Sequence, residues 1–200
     1  MDNQLLDYYL ALKSPEAGEW NSSPENLHAE WRTRDYIRKY VPLEVGFEAC
    51  NIGIGTGDWD DFLGYWLKGR GRLTSIDINR DICELFAYRQ RSEGHPNPSN
   101  VMNKSLFDPD LPQQAFDLVT MIGSTIDEAG QMKDGLDACF GLLKPEGRLM
   151  FMASLKSVSL DSLEQALSDF AYRIEQWERY EEMPQYPFFI CMIRRDELTE

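Results

Sequence analysis

Hydrophobic positions along the chain switch repeatedly between a helical and a strand-like period, and the switches lay out the elements. An apolar run opening at Phe47 leads into three glycines, Gly53, Gly55 and Gly57, then into helical spacing over Asp58–Leu67 that ends at Gly69-Arg70-Gly71. Short strand-like runs follow at Leu73–Ile78, Asn100–Ser105, Phe116–Ile122 and Arg148–Ala153. Between them, Ile82, Leu85, Phe86 and Arg89 give a helix over 80–91 one buried face. Met132, Leu136, Cys139 and Leu143 do the same for 131–143, which stops before Pro145. Leu160, Leu163, Leu167, Phe170, Ile174 and Trp177 alternate spacings of three and four, so a long amphipathic helix is expected there, with Asp161 and Glu164 as its capping box. Arg179–Met183 and Phe188–Arg194 read as a closing hairpin turning at Pro184 and Pro187.

Ahead of all this, Ser14-Pro15-Glu16 and Ser23-Pro24-Glu25 each place a hydroxyl at an N-cap, proline at the first helical position and an acid in the first turn. Two helices are expected, the second over Pro24–Tyr40, stopped by Pro42, with Leu27, Trp31, Ile37 and Tyr40 on its apolar side. Strand–helix alternation finishing in a hairpin predicts an α/β fold: a doubly wound, mostly parallel, seven-stranded sheet with helices on both faces. It occupies residues 45–200, behind an N-terminal helical extension over 1–44 that covers the site as a lid.

The glycines carry the chemistry. Without a Cβ they permit positive φ and let a ligand lie against backbone at the carboxyl edge of the first strand. Asp77 closes the second strand at the same edge, twenty residues after Gly57, where its carboxylate can accept both hydroxyls of a ribose. The pyrophosphate fingerprint G-x-G-x-x-G is not met: the spacing is G-x-G-x-G, with Asp58 where the third small residue belongs. Asp58, Asp60 and Asp61 at the start of the next helix suit its macrodipole but repel a pyrophosphate. An adenosine-type ligand is expected, and a dinucleotide is disfavoured.

Four stretches in register resemble the class I S-adenosylmethionine-dependent methyltransferases: Asn51-Ile-Gly-Ile-Gly-Thr-Gly57, Ser75-Ile-Asp77-Ile78, Phe116–Ile122 and Leu143-Lys-Pro-Glu-Gly-Arg-Leu-Met-Phe151, over residues 45 to 155. The resemblance implies an antiparallel seventh strand and S-adenosylmethionine as cofactor. It places Gly53, Gly55 and Gly57 along the methionine and ribose, Asp77 on the ribose hydroxyls, Ile78 on one adenine face, and Ser105 and Leu106 at the adenine edge. Asn51 stands where the family usually has an acid near the methionine. An amide can bond an ammonium without adding charge, which leaves modest affinity or a charge from Asp58 as alternatives. Ser105 likewise replaces the usual acid.

Composition narrows the acceptor. Two hundred residues suit one α/β domain, and a net charge of −14 without a basic cluster disfavours nucleic acid, so a small, neutral or cationic acceptor is expected. No membrane span or leader is visible, and a cytoplasmic monomer or homodimer is expected. Cys50, Cys83, Cys139 and Cys191 lie far apart beside only two histidines, so buried free thiols are expected rather than a metal site.

Methyl transfer from a sulfonium rests largely on positioning the acceptor in line with the S–CH3 bond, so no base need be evident. The acceptor is expected above Gly123-Ser-Thr-Ile-Asp-Glu128, with Gly123 on the cofactor and with Asp127 and Glu128 orienting an amine or taking its proton. Capping of the next helix explains the two acids as well. His28 is a candidate base for a hydroxyl acceptor. Tyr8, Tyr9, Trp20, Trp31 and Tyr36 offer either a pocket roof or helix packing. The reading that emerges is metal-independent methyl transfer to a small O or N acceptor. Its rivals are a non-catalytic nucleoside-binding protein and, further off, a nicotinamide oxidoreductase.

Overall fold

The computed structural model describes residue 3 and residues 20–108, 110–123 and 132–196. The strands are β1 Phe47–Ile52, β2 Gly71–Asp77, β3 Asn100–Asn103, β4 Phe116–Ile122, β5 Leu143–Ser154, β6 Tyr172–Tyr180 and β7 Phe188–Arg195. They form one sheet in the order β3-β2-β1-β4-β5-β7-β6. Neighbours are parallel except at β7, which runs antiparallel to β5 and β6. The order reverses beside β1, and a crevice opens at such a switch point above the carboxyl ends of β1 and β4.

Five helices flank the sheet among the described residues: α1 Pro24–Tyr40, α2 Asp58–Leu67, α3 Arg80–Ser92, α4 Met132–Leu142 and α5 Leu160–Leu167. Strand residues alternate between two cores, one on each face. Ala49, Leu118, Met150 and Ile190 meet Tyr36 and Ile37 of α1 and Leu63 and Leu67 of α2. Cys50, Val119, Phe151 and Cys191 meet Leu136 and Cys139 of α4 and Leu163 and Leu167 of α5. All four cysteines are buried and free.

Helix α1 starts and stops where expected. Ser23 Oγ accepts from Asn26 N at 3.1 Å, Pro24 follows, and the last turn closes on Val41 just before Pro42. Its buried face is the expected one only at its C-terminal end, where Ile37 is buried and Tyr40 packs against the core. Ala29, Thr33, Tyr36 and Ile37 turn inward, whereas Leu27 and Trp31 are each 57% exposed. The chain continues from α1 into the same core as the sheet, and Glu178 of β6 fastens the helix end by accepting from Lys39 Nζ at 2.7 Å and from the hydroxyls of Tyr40 and Tyr180.

The chain after β5 departs furthest from expectation. The helix expected as far as Trp177 ends at Leu167, and its N-cap is Ser159, whose hydroxyl accepts from Ser162 N at 3.1 Å, rather than the Asp161–Glu164 pair. Ile174 and Trp177 belong to β6, the edge strand, with Trp177 47% exposed. The register against β7 shifts between Ile174 and Gln176, and Glu175 at that irregularity reaches Arg148 of β5 at 3.0 Å and Arg194 of β7 at 3.2 Å. Strand β5 begins at Leu143, earlier than expected, because Leu143 already pairs with Phe116. The Lys144–Gly147 stretch is an irregularity inside that pairing, and a Cβ on Gly147 would lie 2.7 Å from the Phe116 carbonyl oxygen.

Candidate active site

At the tip of β1 the chain turns through three left-handed glycines, Gly53 at φ 83°, Gly55 at φ 54° and Gly57 at φ 80°. Asp77 at the tip of β2 holds this turn: its Oδ2 accepts from Ile54 N and its Oδ1 from Asn79 N, both at 2.8 Å. Each oxygen keeps a further lone pair for a ligand. Asn103 steadies the strand tip from β3, donating to the carbonyls of Asp77 and Ile78 at 3.0 Å. Asn79 caps α3 through the amides of Asp81 and Ile82.

The turn opens onto a cavity of about 580 Å³. One wall is Gly53–Thr56 with Asp58, Asp77, Ile78, Asn79 and Ile82. The facing wall is Trp20, Asn21 and the α1 residues Asn26, Ala29, Glu30, Thr33 and Arg34, with Trp59, Ile122, Gly123, Met152 and Tyr186 closing the floor and side. Trp20 stands edge-on to Tyr186 at 4.7 Å. On α1, Glu30 Oε1 accepts from Asn26 Nδ2 at 2.8 Å, and its Oε2 lies 3.0 Å from Arg34 Nη2.

Of the site residues read from the sequence, Gly53, Gly55, Asp77, Ile78 and Gly123 meet at this cavity. Gly57 does not line it. A Cβ there would come within 2.5 Å of the Phe86 ring and 2.8 Å of Arg89 Nη2, so this glycine lets α3 close against the loop. Asn51 is buried one layer behind, its amide already spent on the Gly53 carbonyl and on Asp60. His28 is away from the lining: α1 faces the cavity with positions 26, 29, 30, 33 and 34, and the neighbouring phase turns His28 onto Tyr180 and Phe188, 3.6 Å from Glu182. Because β3 ends at Asn103, the chain dives early. Ser105 Oγ accepts from Phe107 N at 3.2 Å, Leu106 is buried in the core, and neither reaches the cavity. Asp127, Glu128, Tyr8 and Tyr9 lie outside the described residues. Trp31 is exposed and Tyr36 is core, so among the described residues Trp20 is the one proposed roof aromatic at the cavity.

The three acids opening α2 have separate environments. Asp58 lines the cavity and accepts from Thr56 Oγ1 at 2.8 Å. Asp61 pairs with the buried Arg89 guanidinium, and burial raises its pKa although Arg89 lowers it in part. Asp60 is fully buried; burial pushes its carboxyl up to about 7, against the hydrogen bonds from Ser75 and Asn51. The acidic first turn is therefore not the uniform negative surface that its sequence suggests. Glu30, Arg34, Ile82, Met152 and Tyr186 escaped the sequence reading, since nothing local marks a helix face or a hairpin turn as cavity wall.

This strand order, with a glycine turn at the tip of β1 and an acid at the tip of β2, is the architecture of a class I S-adenosylmethionine-dependent methyltransferase. A S-adenosylmethionine-dependent methyltransferase from Aquifex aeolicus superposes with a TM-score of 0.70 over 90% of this chain and 98% of its own, at 17% identity. The [4+2]-cyclase SpnF also reaches 0.70, over 82% and 80%, at 15% identity, so the likeness is one of fold. Residues 25–177 match the ubiE/COQ5 methyltransferase family, and the chain belongs to that family. Similar curated proteins include the demethylmenaquinone methyltransferases of Listeria welshimeri, 23% identical, and Staphylococcus haemolyticus, 24% identical, each over 123 residues and 62% of this chain. The matches take in 50% and 49% of those proteins, so the chain spans about half the length of these relatives.

S-adenosylmethionine is the cofactor of this class, and the residues present fit it. Asp77 retains an open lone pair on each oxygen, Ile78 offers an apolar side chain 75% exposed, and a Cβ on Gly55 would meet nothing within 4 Å. No helix among the described residues is long and apolar enough to cross a membrane.

Proposed function

We propose that the chain transfers the methyl group of S-adenosylmethionine to a small molecule held between the glycine turn and α1. Bound cofactor supplies an electrophilic methyl group on a sulfonium. Asp77 takes the ribose hydroxyls, Ile78 covers one face of the adenine, and the backbone at Gly53–Gly55 carries the methionine end. The described lining contains Glu30, Asp58 and Asp77 against the single cation Arg34, which favours a cationic cofactor and a neutral or cationic acceptor. The facing wall suits a flat acceptor: Trp20 and Tyr186 offer ring surfaces, and the Asn26–Glu30–Arg34 ladder offers a fixed carboxylate to a hydroxyl or amine. Asp127 and Glu128 remain candidates for orienting the acceptor. The relatives named for demethylmenaquinone make a quinone-like ring the first acceptor to try, beside O and N acceptors.

The observation that carries this reading is Asp77 gripping the glycine turn at the mouth of a cavity that α1, Trp20 and Tyr186 close from the other side. Isothermal titration with S-adenosylmethionine and S-adenosylhomocysteine tests the cofactor, and methyl transfer to a panel including demethylmenaquinone tests the reaction. Binding followed by turnover is expected. Binding without turnover across the panel would favour a nucleoside-binding protein, and no binding of either compound would remove the proposal.

A further inference from the structure

Asp60 is a fully buried carboxyl that none of the chemistry above uses. Its Oδ1 accepts from the Ser75 hydroxyl and its Oδ2 from Asn51 Nδ2 at 2.9 Å. The same nitrogen donates to the Gly53 carbonyl at 2.9 Å. Asn51 Oδ1 accepts from Thr120 Oγ1 at 2.8 Å, and Thr120 in turn accepts from the Trp59 indole at 3.1 Å. Gly53 and Trp59 both line the cavity, so a continuous run of hydrogen bonds joins its wall to Asp60 through Asn51. The acid that the fold usually carries at the strand tip is thus present, displaced by one side chain.

The surroundings of Asp60 are neutral. From β2 it meets the Ser75 hydroxyl and from β1 the Asn51 amide, and the Cys50 thiol, on the other face of β1, is kept protonated by burial. Across β1 stands Thr120 of β4. On its own helix the neighbouring charge is Asp61, taken up by Arg89 of α3. A buried carboxyl with only neutral partners holds its proton until a positive charge arrives nearby. The hydroxyls are arranged for either state: Ser75 and Ser99 lie 2.6 Å apart with either able to donate, so Ser75 can give its hydrogen to an ionised Asp60 or accept one from a protonated Asp60.

Resting on the cofactor reading above, we propose that Asp60 is a positioning residue that adds a negative charge behind the glycine turn through Asn51, whose amide holds the Gly53 carbonyl, and that it gives up its proton, through the Ser75–Ser99 hydroxyls to solvent, when the cationic cofactor binds. Burial pushing this carboxyl up to about 7 puts the exchange within reach of neutral pH.

The test is titration of S-adenosylmethionine into the full chain, in buffers of different ionisation enthalpy, across about pH 6 to 8. The wild type is expected to release a proton and to bind more tightly as pH rises, by up to about tenfold per pH unit. Asp60→Asn is expected to abolish the release and flatten the profile. Asn51→Asp combined with Asp60→Asn returns the charge to the strand tip, and recovery of the lost affinity is expected. A wild type that releases no proton, an unchanged release in Asp60→Asn, or an exchange variant no better than Asp60→Asn would each overturn the proposal. If neither S-adenosylmethionine nor S-adenosylhomocysteine binds, the cofactor reading fails by itself, and the cofactor-free protein decides on Asp60. The Gly53 amide and Trp59 indole resonances should then shift together in one step near neutral pH, and their failure to do so overturns the role. Should Asp60→Asn not fold, the wild-type proton count and resonances decide alone.

Discussion

The cavity wall proposed for the cofactor comes almost entirely from one stretch, residues 53–82, whereas the rest of the cavity assembles Asn26, Glu30 and Arg34 of α1, Met152 of β5 and Tyr186 of the turn before β7. The first is built from backbone and short polar side chains: glycines at positive φ and an aspartate that accepts two loop amides. The second depends on packing, since α1 reaches the cavity only because Tyr36 and Ile37 are buried against Met150 and Ile190. The first wall is therefore sensitive to local chemistry and the second to the integrity of the core beneath it.

The largest effect should come from that core. Phe188 is fully buried under α1, and Phe188→Ala is expected to cost about 3–5 kcal/mol of folding stability, read from a denaturant midpoint. In the fraction still folded, affinity for S-adenosylhomocysteine should hold, and a matching loss of affinity would erase the distinction between the walls. Next comes Gly57→Ala, which combines a left-handed backbone with the clash against Phe86 and Arg89. About 3 kcal/mol of stability should be lost, and a variant as stable as the wild type but unable to bind cofactor would show that Gly57 is a ligand contact after all. Asp77→Asn removes the charge and keeps an acceptor for only one of the two loop amides; it should weaken S-adenosylhomocysteine binding by about 2 kcal/mol in calorimetry and cost a smaller amount of folding stability, about 1 kcal/mol, read from the melting temperature.

The smallest effect lies at the far end of α1. Burial pushes the Glu178 carboxyl up, but hydrogen bonds from Lys39, Tyr180 and Tyr40 outweigh it and hold the group at about 2. A depressed folded-state value means that the contribution is whole above the ordinary glutamate range and is lost as pH falls through that range toward about 2. Glu178→Gln should cost about 1 kcal/mol at neutral pH, discounted for partial exposure, and almost nothing near pH 2. Equal losses at both pH values would show that the carboxylate charge plays no part.

The wall formed by the glycine turn and Asp77 was legible in the sequence because its determinants are adjacent. Helix α2 and strand β4 match their expected limits residue for residue, and α1 does so through Ser23, Pro24 and Pro42. The misses have physical causes. In β6 the irregularity at Glu175 breaks the alternation that would have marked a strand, so Ile174 and Trp177, three apart, fall opposite Ile193 and Cys191 on one face of the sheet and mimic a helical stripe. The early end of β3 turned Leu106 into core. The inward phase of α1 was hidden because its buried set mixes Ala29 and Thr33 with aromatics, while Leu27 and Trp31 advertised the wrong side. Asp60 looked like one more acid favouring a helix start, and only tertiary structure reveals that Ser75 and Asn51 enclose it.

Strand β6 leaves one flank of the sheet open, the arrangement through which proteins recruit stray strands and precipitate. Arg173, Glu175 and Arg179 flank Trp177 at its exposed positions, and Glu175 is clamped between two arginines of the inner strands. An incoming extended chain would have to strip water from this charged fringe before pairing its backbone. Neutralising the fringe should shorten the shelf life of concentrated protein long before it alters the fold.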